Sequence, residues 1–221
     1  MIGDKNGVHV KFLRRRAEEP DHAARAAAFW QRWEELLPVL SSALGEREPR
    51  KVEPLLCDTV AALHPDLHFT IERGHESVYA LVVSAQGDPA LRPYTDAWLA
   101  AAPEPSTLWE YHDAVPAVPD PTQVTVNLGA HRLALGQVRV SARVDEAAGV
   151  VDVEVYHPRL AELDDAAKAA MTFLPLDATL GERLAADRLG RVETAETEPD
   201  DSIGLLEFRA LVRDLDRLAG G

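Results

Sequence analysis

Two stretches of the chain, residues 67–115 and 137–196, carry the same order of local patterns: strand, turn, strand, helical stripe, returning strand. A strand with one wet face places an apolar residue at every second position, a surface helix at every third or fourth, so the two periods can be read directly. In the first stretch Leu67, Phe69 and Ile71 alternate with His68, Thr70 and Glu72, and Gly74-His75-Glu76-Ser77 supplies the turn. Tyr79 to Val83 is apolar on both faces, which makes this second strand the more central one. Asp88-Pro89 reads as a helix start, with the carboxylate capping free N–H groups and the proline in the first turn. Leu91, Tyr94, Trp98 and Ala101 line that helix as far as Pro103, and Thr107 to Val115 returns as a strand.

The second stretch repeats the order without residue identity. Val138, Val140, Ala142 and Val144 alternate with Arg139, Ser141 and Arg143, while Val151, Val153 and Val155 alternate with Asp152, Glu154 and Tyr156. Requiring the valines to share a face sets Val144 opposite Val151 and Arg143 opposite Asp152, with Gly149 at the loop position that needs φ > 0. A helix is expected from Leu160 through Leu174, with Pro175 complicating its end and Gly181 closing the helical region. Asp187 to Thr194 is the returning strand, and a last helix carries Ile203, Leu206, Leu211, Leu215 and Leu218 on one side.

Around these units, residues 1–20 read as a flexible N-terminal arm that holds an alternating piece (Val8, Val10, Phe12) and then Arg14, Arg15 and Arg16. A long helix from Asp21 repeats Phe29, Trp30, Trp33, Leu36, Leu37, Leu40 and Leu44 at intervals of three and four. Pro38 should kink it and Gly45 should end it, and a second helix should run from Glu53 to His64. Residues 116–123 form a proline-rich linker, so that 21–115 and 124–221 are the two halves of one compact domain or two small domains. Short strands are expected at Val124 to Leu128 and at His131 to Leu135. The fold class is α+β: two successive β-hairpin-helix-strand units forming antiparallel or mixed sheets, packed by N-terminal and C-terminal helices.

The net charge of −14, from 37 acidic and 23 basic residues, repels phosphate backbones and anionic bilayers, so nucleic acid is an unlikely main partner. No run of 18 apolar residues occurs, which argues against membrane insertion. Cys57 cannot form an internal disulfide and sits among Leu55, Leu56 and Val60, which suggests a small buried group and a reducing, cytoplasmic compartment.

Neither a Walker loop, a Gly-x-Gly-x-x-Gly turn, a His-Glu-x-x-His pair nor a Cys-x-x-Cys pair is present, and no cofactor or metal is expected. Glu110 and His112 should share a strand face, where a carboxylate beside an imidazole could do acid-base work, although a solvated strand face is the blander reading. Asp177 and Glu182 are five residues apart, about 140° on a continuous helix, so they converge only if the helix breaks near Gly181. Ser84 ends a buried strand before Ala85-Gln86-Gly87-Asp88 but lacks the Gly-x-Ser-x-Gly context of a nucleophile elbow. His64 and His157 each precede a proline at an element end and are read as capping or stacking residues.

Phe29-Trp30, His64-Pro65-Asp66-Leu67, Leu91-Arg92-Pro93 with Ala101-Ala102-Pro103, Trp109-Glu110-Tyr111-His112, His157-Pro158, and Leu176-Asp177 with Leu180-Gly181-Glu182 together resemble a family of uncharacterised bacterial proteins frequent in actinobacteria. The resemblance spans Phe29 to Glu193 and implies a single cytoplasmic domain type without an assigned reaction. Two functions follow as expectations. The first is a non-enzymatic binding or interaction module, acting on an unknown protein partner or on itself as a homodimer, with Trp30, Trp33 and Trp109 as candidate binding residues. The alternative is a hydrolase-like acid-base enzyme with Glu110, His112, Asp177 and Glu182 around a pocket between the halves.

Overall fold

The computed structural model describes residues 21–46 and 48–219; the arm of residues 1–20 lies outside them. Helix α1 (His22–Gly45) starts at Asp21, whose carboxylate accepts from the Ala24 N–H at 2.9 Å, and it continues through Pro38 to the expected end. Helix α2 (Glu53–Leu63) follows, with Pro54 in its first turn. Strands β1 (His68–Arg73) and β2 (Tyr79–Ser84) form an antiparallel hairpin, α3 (Arg92–Ala100) crosses over, and β3 (Trp109–His112) pairs parallel to β2. The β2 strand is therefore central, in the order β1-β2-β3.

The second half opens with a small hairpin, β4 (Thr125–Leu128) and β5 (His131–Ala134). Strands β6 (Arg139–Asp145) and β7 (Val150–Tyr156) pair antiparallel with Val144 opposite Val151, Arg143 opposite Asp152, and Gly149 at φ 68°. Helices α4 (Asp165–Leu180) and α5 (Glu182–Arg188) lead to β8 (Leu189–Thr194), which lies parallel to β7. The connectivity is that of the first half: an antiparallel hairpin whose second strand takes the returning strand in parallel. A short strand β9 (Ile203–Gly204) then adds to β6, giving the order β8-β7-β6-β9, and α6 (Leu205–Ala219) packs against β6 and α4.

Five expectations need correction. Gly181 ends α4 but does not close the helical region: residues 182–188 form helix α5, and the returning strand β8 starts at Leu189 rather than Asp187. Helix α3 starts at Arg92 with Pro93 in its first turn, not at Asp88-Pro89, because the Asp88 carboxylate is used within its own turn, accepting from the Ala90 N–H at 2.8 Å. Helix α4 runs past Pro175 to Leu180, since burial of Met171, Leu176 and Leu180 along one side outweighs the single missing N–H. Ile203 lies in β9 opposite Val140 rather than on the last helix. Cys57 is exposed: it follows buried Leu56 on α2, and one residue turns the side chain about 100° away from the core.

Each half has its own apolar core. The first gathers α1, α2 and α3 with the sheet residues Leu81, Val83 and Trp109, and the second gathers α4 and α6 with the valines of β6 and β7.

Candidate functional site

The candidate aromatic binding residues are core. Trp30, Trp33 and Trp109 are 6%, 0% and 4% exposed, so none offers a surface to a partner. Trp30 stacks on Trp98 at 4.9 Å between ring centroids and donates its indole N–H to the Trp98 carbonyl at 2.7 Å, while Trp109 meets Trp33 edge to face at 4.9 Å. Two helices, α1 and α3, and the sheet bring their rings into one aromatic cluster, and that convergence is why α1 carries more aromatic surface than a single helix contact needs.

Glu110 and His112 share a face of β3 as expected, with His112 Nε2 3.0 Å from the Glu110 carboxylate. The face is not solvated at Glu110, which is 7% exposed. Its carboxylate accepts the backbone N–H groups of His75, Glu76 and Ser77 at 2.8 to 2.9 Å and so holds the β1–β2 turn closed. Burial pushes this carboxyl up, but the three N–H groups and the His112 ring outweigh it and hold it at about 2. Since that value lies below the ordinary 4.5, the ionised carboxylate stabilises the fold above pH 4.5, and the contribution is lost as pH falls from there towards 2. We expect Glu110→Gln to lower stability at pH 7 by about 2–3 kcal/mol, with the gap to the unsubstituted protein closing below pH 4. Urea denaturation across that pH range checks the prediction. His64 and His157 behave as read: each Nδ1 accepts the backbone N–H two residues on, from Asp66 and Arg159, at 3.2 Å.

Asp177 and Glu182 do come together. Gly181 separates α4 from α5 at φ 76°, ψ 164°, a conformation essentially confined to glycine, and the break turns both carboxylates towards one cleft between the halves. The cleft encloses about 610 Å³ and is open to solvent. The loop after β2 (Ser84, Gln86, Gly87) and Val115-Pro116 form one side, and α4, α5 and β8 form the other. Glu110 and His112 do not line it.

The two carboxylates have different surroundings. Glu182 joins the halves: it accepts the Ser84 hydroxyl at 2.7 Å, the Val115 N–H at 3.0 Å and the Gly87 N–H at 3.1 Å, and its own N–H donates to the Val115 carbonyl at 2.9 Å. Gln86 at φ 50° and Gly87 at φ 78° aim that turn, and the Gln86 N–H donates to the Ser84 oxygen at 2.9 Å. Ser84 thus donates to a carboxylate and is 6% exposed, an anchored hydroxyl rather than a nucleophile. The Asp177 carboxylate makes no hydrogen bond or ion pair with another described residue. Its apolar surroundings, and secondarily Glu182, raise its carboxyl above the ordinary range, although it remains exposed at the rim. Around it Phe173 and Leu174 are 50% and 42% exposed, and Val115 across the cleft is 43% exposed.

Two arginines fix the walls. Arg183, next to Glu182, pairs with Asp96 of α3 and with Asp113 at 2.6 Å. Arg209 of α6 donates to the carbonyls of Thr179, Pro119 and Val118, and the Val118 N–H donates to the Ala178 carbonyl at 2.8 Å. The proline-rich segment is thereby bound along its length to the second half.

The sequence pointed to Asp177 and Glu182 but not to Ser84, Gly87 and Val115 as the donors, since their approach depends on how the halves meet. Phe173 and Leu174 were legible only as part of an apolar helix; their position beyond the buried stripe of α4 was the available signal. Among the described residues, no cluster of three or more His, Cys, Asp or Glu could hold a metal ion, and no helix is long and apolar enough to cross a membrane. An α+β protein with a preformed apolar cleft at the junction of two like-connected halves is the class that fold and site define. No family model, curated protein or solved structure matches the chain.

Proposed function

We propose that the protein is a non-enzymatic interaction module whose binding surface is the inter-half cleft, and that its partner presents apolar side chains beside basic ones. The observation that carries this reading is the exposure of Phe173, Leu174 and Val115 around Asp177, a carboxylate without a partner among the described residues. Clustered exposed apolar side chains beside polar groups are a feature of binding sites, and a net charge of −14 attracts cationic surfaces from a distance. The reading sets the protein in the cytoplasm, where the exposed Cys57 thiol stays reduced, and keeps the resemblance to actinobacterial proteins without an assigned activity.

The alternative acid-base enzyme draws support from the raised Asp177 carboxyl beside Glu182. Against it, the Glu182 carboxylate is already engaged by three donors, and Glu110 and His112 lie outside the cleft. A general base needs a free lone pair within reach of the proton it takes, and Asp177 alone meets that condition.

Native mass spectrometry after gentle low-salt purification from the host tests the proposal. A discrete complex, with another protein or with a second copy, is expected for the unsubstituted chain and is expected to vanish in Phe173→Asp/Leu174→Asp. Because both side chains are already half exposed, melting temperature should stay within ~2 °C. A bare monomer in every preparation, or a complex that survives the double substitution, overturns the reading.

A further inference from the structure

We infer that the cleft recognises an arginine side chain of its partner, whose guanidinium stacks on the Phe173 ring and pairs with the Asp177 carboxylate. The inference rests on the reading of the cleft as the binding surface and names the group that enters it. Asp177 and Glu182 both line the cleft, and among the described residues no Lys, Arg or His does. Ser84, Gly87 and Val115 satisfy the Glu182 oxygens with neutral donors, which hold the carboxylate without cancelling its charge. Arg183, next to Glu182, is committed to Asp96 and Asp113. No cation lowers the Asp177 carboxyl: burial raises it, and Glu182 raises it further. The cleft is therefore an apolar space with two negative charges and no counter-charge of its own, which fits a guest that brings a cation.

The arrangement favours a guanidinium over an ammonium. Phe173 and Asp177 are one helical turn apart on α4, so their side chains leave the same side of the helix, about 6 Å apart at Cβ, and both line the cleft. Phe173 is half exposed, which leaves ring surface for a guest. A guanidinium is planar and weakly hydrated: it lies flat on an aromatic ring within about 6 Å of the centroid and turns paired N–H groups to a carboxylate. An ammonium is a compact, strongly hydrated charge that must give up more water to enter the same space. On the opposite wall Gln86 is held at φ 50°, an uncommon conformation for a residue with a Cβ, and its carboxamide has no partner among the described residues. Its carbonyl oxygen is available to accept an N–H that the carboxylate leaves over. Leu174 and Val115 remain for the aliphatic stem and for an apolar neighbour in the partner.

Three probes that share a hexyl tail separate these contributions: hexylguanidinium, hexylammonium and hexylurea, the last planar but uncharged. Each is titrated into the full, isotope-enriched chain, and binding is followed by NMR through the amide signals of Gln86, Gly87, Leu174 and Asp177. Hexylguanidinium should bind with a Kd of ~1 mM, the level expected for so small a ligand, and about tenfold more tightly than hexylammonium. Hexylurea should fail to saturate. Phe173→Leu, which keeps an apolar side chain but removes the ring, should bring the two cations within about twofold of each other, mainly by weakening hexylguanidinium. Asp177→Asn should reduce both cations to the level of the urea. Both positions are exposed, so melting temperature should stay within ~2 °C in either variant.

Equal affinity for the two cations, or a guanidinium preference that survives Phe173→Leu, overturns the inference, while shifts confined to the cleft amides keep the cleft as a binding surface. Saturable binding of none of the probes also overturns it. The interaction-module reading is decided apart from these titrations, by the native complex and its loss in Phe173→Asp/Leu174→Asp. Where that complex forms, about 10 mM hexylguanidinium should lower its apparent affinity about tenfold and hexylammonium at the same concentration about twofold. A complex indifferent to both cations overturns the arginine contact and leaves the interaction-module reading in place.

Discussion

Glu182→Ala should be among the most destabilising single changes in this protein, at about 3–4 kcal/mol and about 10 °C in melting temperature. The carboxylate takes three donors from the first half, and truncation leaves the Ser84 hydroxyl and the N–H groups of Val115 and Gly87 without their acceptor. A hydrogen bond to a charged group contributes roughly 1.5–3 kcal/mol and a neutral one about half that; water entering the open cleft recovers part of the loss. Because each half keeps its own core, the effect should fall on their junction. Tryptophan fluorescence reports the first half alone, since Trp30, Trp33, Trp98 and Trp109 all lie there, whereas circular dichroism reports both. The two transitions should coincide in the unsubstituted protein and separate in Glu182→Ala. Asp177→Asn, five residues away and without a described partner, should leave stability within about 0.5 kcal/mol. Coincident transitions and an unchanged midpoint in Glu182→Ala would show that the halves are held together elsewhere.

Gly181→Ala should cost a similar amount by a different route. Its φ of 76° with ψ 164° is closed to residues with a Cβ, and an added Cβ would stand 2.7 Å from the Ala117 nitrogen and 3.1 Å from the Val115 oxygen. Both contacts are backbone, so no rotamer change relieves them. Either the proline-rich segment moves away or α5 swings, and each movement pulls Glu182 from its donors. We expect about 3–4 kcal/mol by urea denaturation, together with loss of cleft binding even where the protein remains folded. A stability change below about 1 kcal/mol would mean that the break tolerates an ordinary side chain and that the contact between Gly181 and residues 115–117 is loose.

Much of the fold was legible because its signals are local. The β6–β7 register follows from the valines and Gly149 alone, and the end of α4 at Gly181 follows from a glycine after a helical run, whereas helix α5 beyond it was not legible. Misreadings occurred where the same local signal served two structures. Asp88-Pro89 and Arg92-Pro93 both resemble helix starts, and the choice between them depends on the Gln86-Gly87 turn having to reverse the chain first. Trp30 and Trp33 looked like surplus surface because their partners Trp98 and Trp109 are more than 60 residues away. The site divided along the same line. The pairing of Asp177 and Glu182 needed one turn of geometry, whereas the three donors to Glu182 required the two halves to be docked.

Arg209 bears on how tightly anything in the cleft can be held. One planar guanidinium donates to three carbonyls, at the end of α4 and at Val118 and Pro119 in the crossing segment, so the wall that carries Phe173, Leu174 and Asp177 is set before any guest arrives. A receptor that must first order its own backbone surrenders roughly 1–2 kcal/mol for each residue it freezes. Here that entropy has already been lost during folding, so contacts made by a guest translate into affinity with little deduction, and association should be fast and nearly free of conformational lag. A lysine in this position, a single ammonium on a flexible stem, would keep the charge yet release the fork, leaving a wall that a guest would have to assemble for itself.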